Sequence, residues 1–151
     1  MFVDADDWLM DNMLEKINEA IEHSPDVQLV QFNLKTLLAN GQTRAIGCPE
    51  DKTFNIHDNG YFSNLVVHTQ SKAVKLKLLN DNRIRFYEKI DWQEDKLFWL
   101  QTALAAERYV NIAQQLYTYD KNFSTLTKKE NMTNEKFYWF YKEYLGVIGK
   151  Y

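Results

Sequence analysis

The chain has 151 residues, of which 45% are apolar and 15% aromatic, enough for one domain with a buried core. Twenty-one acidic and eighteen basic side chains give a formal net charge of -3. This balance lacks the basic footprint of a nucleic-acid-binding protein, so we expect no nucleic-acid partner. One cysteine excludes an internal disulfide, and with three histidines it offers no Cys/His metal cluster. We expect one domain over residues 1–151 in a reducing, cytoplasmic compartment.

The beginning of the chain predicts the end of a strand, a turn and then a helix. Three apolar residues are followed by an acidic segment that holds Asp4, Asp6 and Asp7, which is not the pattern of a signal peptide. Asp6 or Asp7 is placed to cap the next helix. Apolar positions at three- and four-residue steps predict that helix over residues 11–22.

The middle of the chain predicts a β-hairpin followed by a loop. Residues 27–34 have the composition of a strand, and Asn40-Gly41 is the signal of a hairpin turn to a partner over residues 43–46. The polar stretch 47–60 predicts a loop.

The second half of the chain predicts further helices and short strands. Residues 63–79 suit two short amphipathic helices, and the clearest helical pattern covers residues 94–107. The remaining predicted elements are strands over residues 84–86, 109–112 and 115–119 and a last helix over residues 134–147. Alternating strands and helices predict an α/β fold, and the low strand count predicts an incomplete sheet.

The first acidic segment, Asp4 to Asp7, is predicted at the carboxyl end of a strand, where open α/β sheets bind ligands. Such carboxylates suit Mg²⁺ or Mn²⁺, which take one or two protein oxygens and leave other positions to phosphate and water. The alternative is that Asp6 or Asp7 caps a helix and that Asp4 is a solvated turn residue.

The second acidic pair, Glu94 and Asp95, lies in the first turn of a predicted helix, where acids are ordinary. The functional alternative is a general base, because Trp92 and Phe98 flank the pair and would partly desolvate a carboxylate.

The order of these motifs along nearly the whole chain resembles family 2 glycosyltransferases of the GT-A type. The segment from Phe2 to Leu9 is similar to the family's Asp-x-Asp metal motif, and Lys72 has the spacing of its Asn-Lys-Leu-Tyr segment. Glu94 and Asp95 resemble the motif that holds the catalytic base. A last segment, with Tyr117, Tyr119 and Ser124, resembles the closing element of the family.

The resemblance implies an inverting transfer from a nucleotide-sugar donor to a glycan acceptor, in a process such as bacterial surface polysaccharide synthesis. Asp6 would hold Mn²⁺ or Mg²⁺ with Asp4, and Asp7 would lie on the same diphosphate side. Asp95 would deprotonate the acceptor hydroxyl. Residues implied on the acceptor side or in orienting the site are Glu94, Trp92, Lys72, Tyr117, Tyr119 and Ser124. The two tyrosines suit a buried core equally well.

In the resembled family, the nucleotide-binding strands precede the Asp-x-Asp motif, at which this chain begins. We therefore expect a partial GT-A-type sheet with flanking helices that lacks those strands, and weak or no donor binding by this chain alone. We also expect an exposed sheet edge beside Phe2 and Val3 that promotes self-association.

Two other functions stay open at this point. One is a non-catalytic interaction or structural fragment. The other is peripheral association with the inner face of a membrane through an aromatic C-terminal helix carrying Trp139, Tyr141, Tyr144, Lys136 and Lys142. Against the second stands a buried stripe of Phe137, Phe140, Tyr144 and Ile148.

Overall fold

A computed structural model describes residues 1–66, 68–90, 92–121 and 133–150. The strands are β1 (Trp8–Leu9), β2 (Leu29–Leu37), β3 (Thr43–Ile46), β4 (Lys52–Asn55), β5 (Lys72–Val74) and β6 (Arg108–Asp120). The α-helices are α1 (Met13–His23), α2 (Leu76–Asp81), α3 (Glu94–Ala106) and α4 (Asn134–Ile148), and a short 3-10 helix covers Thr69–Ser71. Together they form the α/β fold that the sequence predicts.

The strands form one mixed sheet around the parallel pair β2 and β6. Strand β6 also pairs antiparallel with β4 and β1, on the side away from β2. Strand β2 pairs antiparallel with β5 and β3 on the side away from β6. The two long strands therefore occupy the centre of the sheet, and short strands occupy both edges.

The two faces of the sheet pack against different helices because side chains alternate along β2. Val30, Phe32 and Leu34 join a cluster with Met13 and Ile17 of α1. Leu29 points the other way and joins a larger cluster to which α2 and α3 contribute Leu78, Leu79, Phe98, Trp99 and Ala103. The sheet is thus buried between helices on both sides.

The hairpin and the longer helices confirm the sequence predictions, with small shifts at their ends. β2 and β3 pair through the register Leu37↔Thr43, next to the predicted turn. The helices predicted over residues 11–22, 94–107 and 134–147 correspond to α1, α3 and α4. These elements are set by local periodicity and turn chemistry, which the sequence carries directly.

The predictions for the first residues are wrong in two respects. Residues 1–3 form no strand, so they do not provide the free sheet edge that was expected there. The ring of Phe2 instead packs edge-on against Phe98 and Trp99 of α3. The residue before α1 is Asn12, so neither Asp6 nor Asp7 caps that helix.

Four other local predictions are also wrong. The expected loop over residues 47–60 contains β4, whose Phe54 is buried and stacks on Tyr109. Residues 63–79, predicted as two short helices, hold the 3-10 helix Thr69–Ser71, strand β5 and the beginning of α2. Residues 84–86 form no strand, because Phe86 stacks on Phe98 and Ile84 closes the end of α2 by donating to the Leu79 carbonyl. The two strands expected over residues 109–119 are one strand, β6, whose register with β2 shifts near Asn33.

Helix α4 packs against the beginning of α3 through an apolar cluster. Phe140 is buried there with Leu97 and Ile90, and Trp92, Trp139 and Tyr144 pack around them. Ile148 is 48% exposed, so its predicted place in a buried stripe is wrong. In the part of the chain that the structure describes, every helix is too short or too polar to cross a bilayer.

Candidate functional site

The acidic segment at the beginning of the chain is held to the end of β6 by Tyr117 and Asp7. The Tyr117 hydroxyl donates to Asp7 Oδ2 at 2.6 Å, and the Asp120 backbone N–H donates to Asp7 Oδ1 at 2.9 Å. The Asp4 backbone N–H donates in turn to the Tyr117 oxygen at 3.1 Å. Both oxygens of Asp7 are therefore engaged by the protein, which gives this carboxylate an anchoring role.

The charge states of this anchor follow from its burial. Desolvation raises the pKa of Asp7, and the hydrogen bond from Tyr117 opposes this rise. Burial and the bond to Asp7 raise the pKa of Tyr117 above its ordinary value. The phenol thus stays protonated near neutral pH and keeps donating to the carboxylate.

Asp4 and Asp6 present their carboxylates at the surface beside this anchor. The Gln70 side-chain amide donates to Asp4 Oδ2. Asp6 is exposed, and within the described ranges no hydrogen bond or ion pair engages its side chain. These carboxylates fit a hard divalent ion that takes its remaining ligands from phosphate and water. The described residues contain no cluster of three or more His, Cys, Asp or Glu ligands, so a metal here would rely on substrate oxygens.

Lys72 is a fully buried ammonium that organises the loop before β5. Its Nζ donates to the Val66 carbonyl, to the His68 carbonyl at 3.0 Å and to Ser71 Oγ at 3.3 Å. It also lies 4.7 Å from the centroid of the Trp99 ring. Burial lowers the pKa of Lys72 to about 7, and the charge of Asp95 opposes this shift. Lys72 therefore shapes the site through the loop, since it exposes no surface to a substrate.

Asp95 lies in the first turn of α3 and belongs to the same polar region. It is half-buried, and its Oδ1 accepts the Lys96 backbone N–H at 2.8 Å. Its charge acts on both Lys72 and His68. Glu94, the residue before it, is also half-buried. The two acidic segments are therefore joined through residues 68–72, with Gln70 bound to Asp4 and with Lys72 and His68 in the field of Asp95.

His68 is a site residue that the sequence did not reveal. Its ring lies 6.1 Å from the ring of Tyr119, centroid to centroid, and burial together with the charge of Lys72 lowers its pKa. His68 lies in an irregular loop, where no periodicity indicates which side chains turn inward. Tyr119 is half-buried at this position.

One predicted site residue, Trp92, lies elsewhere. Trp92 turns toward α4, where its ring meets those of Phe137 and Phe140 at centroid distances of 4.7 and 5.5 Å. Ser124 lies outside the described residues. The structure thus links Asp4 and Asp7 to Tyr117 by hydrogen bonds, places Asp95 near Lys72 and His68, and directs Trp92 to the helix interface.

No protein-family model matches the chain, and no curated protein matches it in sequence. Its fold is similar to that of S. aureus TarS, a glycosyltransferase. TarS 1-349 in complex with UDP aligns with a TM-score of 0.66 and 22% identity over 92% of this chain and 37% of that one. TarS 1-349 alone aligns with a TM-score of 0.61 and 24% identity over 80% of this chain and 35% of that one. The chain therefore shares the fold of the part of TarS that it matches, and it spans little more than a third of the TarS chains.

Proposed function

We propose that this chain forms the acceptor-side part of an inverting, metal-dependent glycosyltransferase that transfers a sugar from a nucleotide-diphosphate donor to a glycan hydroxyl. We propose bacterial surface polysaccharide synthesis as the process in which this transfer takes place. One observation carries it: residues 68–72 connect the acidic segment at the beginning of the chain with Asp95 at the start of α3. A displacement at an anomeric carbon needs these two functions side by side, charge neutralisation for the leaving group and a base for the nucleophile.

The donor side consists of Asp6 with Asp4. Asp6 has a carboxylate that no described residue engages, and Asp4 lies two residues away with its carboxylate turned to Gln70. A bound Mg²⁺ or Mn²⁺ would neutralise the charge that develops on the diphosphate leaving group. The similarity to a TarS structure that contains UDP supports a nucleotide donor. Asp7 holds the segment in place through Tyr117.

The acceptor side consists of Asp95 with Glu94. A carboxylate at the start of α3 can act as the general base for an acceptor hydroxyl. Asp95 accepts the proton of the acceptor hydroxyl at its carboxylate as that oxygen attacks. The buried ammonium of Lys72 holds the facing loop in one conformation. Glu94 orients the acceptor.

A non-catalytic interaction role is the second candidate, and exposed apolar side chains favour it. Phe2, Val3, Trp8 and Leu9 are 37%, 48%, 52% and 40% exposed, next to the acidic segment. Such a patch suits association with a second copy or another chain. Light scattering at high concentration tests this candidate: a concentration-dependent rise in mass supports it, and a constant monomer mass counts against it.

Titration calorimetry with UDP and Mn²⁺, followed by a transfer assay with several nucleotide sugars, tests the catalytic proposal. Asp6→Asn is expected to weaken metal-dependent UDP binding about tenfold or more. Asp95→Asn is expected to leave UDP binding intact and to lower transfer by about 10²-fold or more. Asp11→Asn, at an exposed position nearby, is the matched control and should change neither. Because donor binding by this chain alone is expected to be weak, the titrations use UDP at millimolar concentration. An unmutated chain that shows no metal-dependent UDP binding even there, or whose binding Asp6→Asn leaves unchanged, would contradict the proposal and favour the interaction role.

A further inference from the structure

A cavity of about 660 Å³ lies between the segment before α3 and the beginning of α4. Its volume falls within the range of ligand-binding cavities in proteins. The cavity lies apart from the acidic segment and the loop at residues 68–72, neither of which lines it. The residues that line it are Glu88, Lys89, Ile90, Trp92, Thr133, Glu135, Lys136 and Trp139.

The charges of the described lining residues balance each other. Two carboxylates, Glu88 and Glu135, face the same space as two ammonium groups, Lys89 and Lys136. Their formal charges cancel, so the cavity favours neither a polyanion nor a cation over a neutral molecule. The two carboxylates can accept from ligand hydroxyls, and Lys89 can donate to them. The Thr133 hydroxyl oxygen accepts the Lys136 backbone N–H, and its own proton can be donated to a ligand.

The aromatic part of the lining gives the cavity an apolar wall. Trp92 is held by its ring contacts with Phe137 and Phe140, so its indole is fixed before any ligand binds. Trp139 is half-buried. A ligand that matches these walls combines apolar faces with a rim of hydroxyl groups, as a neutral sugar does.

Two lysine side chains lie over the Trp139 ring. The Nζ of Lys142 lies 4.6 Å from the ring centroid, and the Nζ of Lys89 lies 6.0 Å from it. Lys89 is exposed, so it can leave the ring at a cost of about 0.5–1 kcal/mol, the strength of an exposed cation–π contact. It would then donate to a hydroxyl of the ligand.

We propose that this cavity binds a neutral saccharide unit of the acceptor glycan, at a distance from the hydroxyl that reacts. The connection with the reaction is Trp92, which lies three residues before Asp95; their Cα atoms are therefore within about 11 Å of each other. The link to the acceptor rests on the proposed function, whereas saccharide binding itself needs neither donor nor metal.

Saccharide binding is tested without donor, by saturation-transfer NMR and tryptophan fluorescence titration with maltotriose, cellotriose and chitotriose. Inorganic polyphosphate is the anionic probe. At least one neutral trisaccharide is expected to bind, and polyphosphate is expected not to compete with it. Trp139→Leu should weaken binding about tenfold or more, and Trp139→Phe should retain most of it because the aromatic face remains. Glu135→Gln should weaken it several-fold by removing a charge-assisted hydrogen bond.

Leu145→Ala, at a 68% exposed position on the same helix, is the control and should bind as the unmutated chain does. Glu135→Gln changes one exposed side chain without altering its shape, so it reports on binding even if Trp139→Leu fails to fold. The absence of any saccharide binding would overturn the proposal, as would binding that the cavity variants leave unchanged or competition by polyphosphate. Loss of transfer in Asp95→Asn with saccharide binding intact would support both proposals. Saccharide binding in a chain that transfers no sugar would leave the cavity assignment standing while the proposed function fails.

Discussion

The hydrogen bond between Tyr117 and Asp7 predicts how strongly the acidic segment is anchored. The substitution Tyr117→Phe removes the hydroxyl that donates to Asp7 Oδ2 at 2.6 Å and accepts the Asp4 N–H. It retains the buried ring, so it leaves no cavity in the core. The change therefore isolates the hydrogen bond from the packing.

The expected loss of stability follows from the kind of bond removed. A hydrogen bond to an ionised group contributes about 1.5–3 kcal/mol. Asp7 is half-buried, so water replaces part of the lost contact, and we expect Tyr117→Phe to lower the free energy of unfolding by about 1–2 kcal/mol at pH 7.

The loss should also depend on pH with a definite sign. Because burial raises the pKa of Asp7 in the folded chain, its contribution to stability is present at low pH and is lost as the pH rises through that raised value. Removing the Tyr117 donor raises the pKa of Asp7 further, so the variant loses more stability than the unmutated protein as the pH rises. The difference between the two proteins is therefore larger at pH 7 than at about pH 4, the ordinary pKa of an aspartate, where a carboxyl with a raised pKa binds its proton to a larger extent.

Urea unfolding followed by tryptophan fluorescence at both pH values measures this difference. Tyr138→Phe is the control, since Tyr138 is 61% exposed, and it should change the free energy of unfolding by less than about 0.5 kcal/mol. An equal effect of the two substitutions, or a loss in Tyr117→Phe that is the same at both pH values, would refute the anchoring role.

Two further predictions concern the buried Lys72 and a pair of glycines, and thermal or urea unfolding checks both. Burial lowers the pKa of Lys72 to about 7, so above that pH the unfolded chain binds a proton at this lysine that the folded chain lacks. The free energy of unfolding of the unmutated protein should therefore rise by on the order of 1 kcal/mol per pH unit between about pH 7 and pH 9. In Lys72→Met this rise should be absent. Gly47→Ala should destabilise the fold by about 3 kcal/mol, because Gly47 has φ +147 and a Cβ there would lie 1.7 Å from Asn33 Oδ1. Gly146→Ala in α4, with no atom within 4 Å of the added Cβ, should stabilise by up to about 1 kcal/mol. An unchanged pH slope in Lys72→Met, or equal effects of the two glycine substitutions, would contradict these expectations.

Local patterns were enough to predict the main elements of the fold. The three- and four-residue spacing of apolar side chains indicates α1, α3 and α4, and Asn40-Gly41 indicates the turn between β2 and β3. Weak or mixed patterns did not predict the correct element. Strand β4 is only four residues long, and nothing in the polar sequence around it indicates that Phe54 is buried. Its pairing with β6 brings together residues that lie far apart in the chain.

The sequence by itself determined the candidate chemistry of this protein, because carboxylates at Asp4, Asp6, Asp7 and Asp95 are visible without a fold. Only the tertiary structure decided which of them is engaged. Asp7 is bound by a tyrosine 110 residues away, while the side chain of Asp6 stays exposed. Periodicity reports which face of an element is buried, and it contains no information about hydrogen bonds between distant segments. Such partners are chosen when β6 docks beside β1 and β2, which is a property of the folded chain.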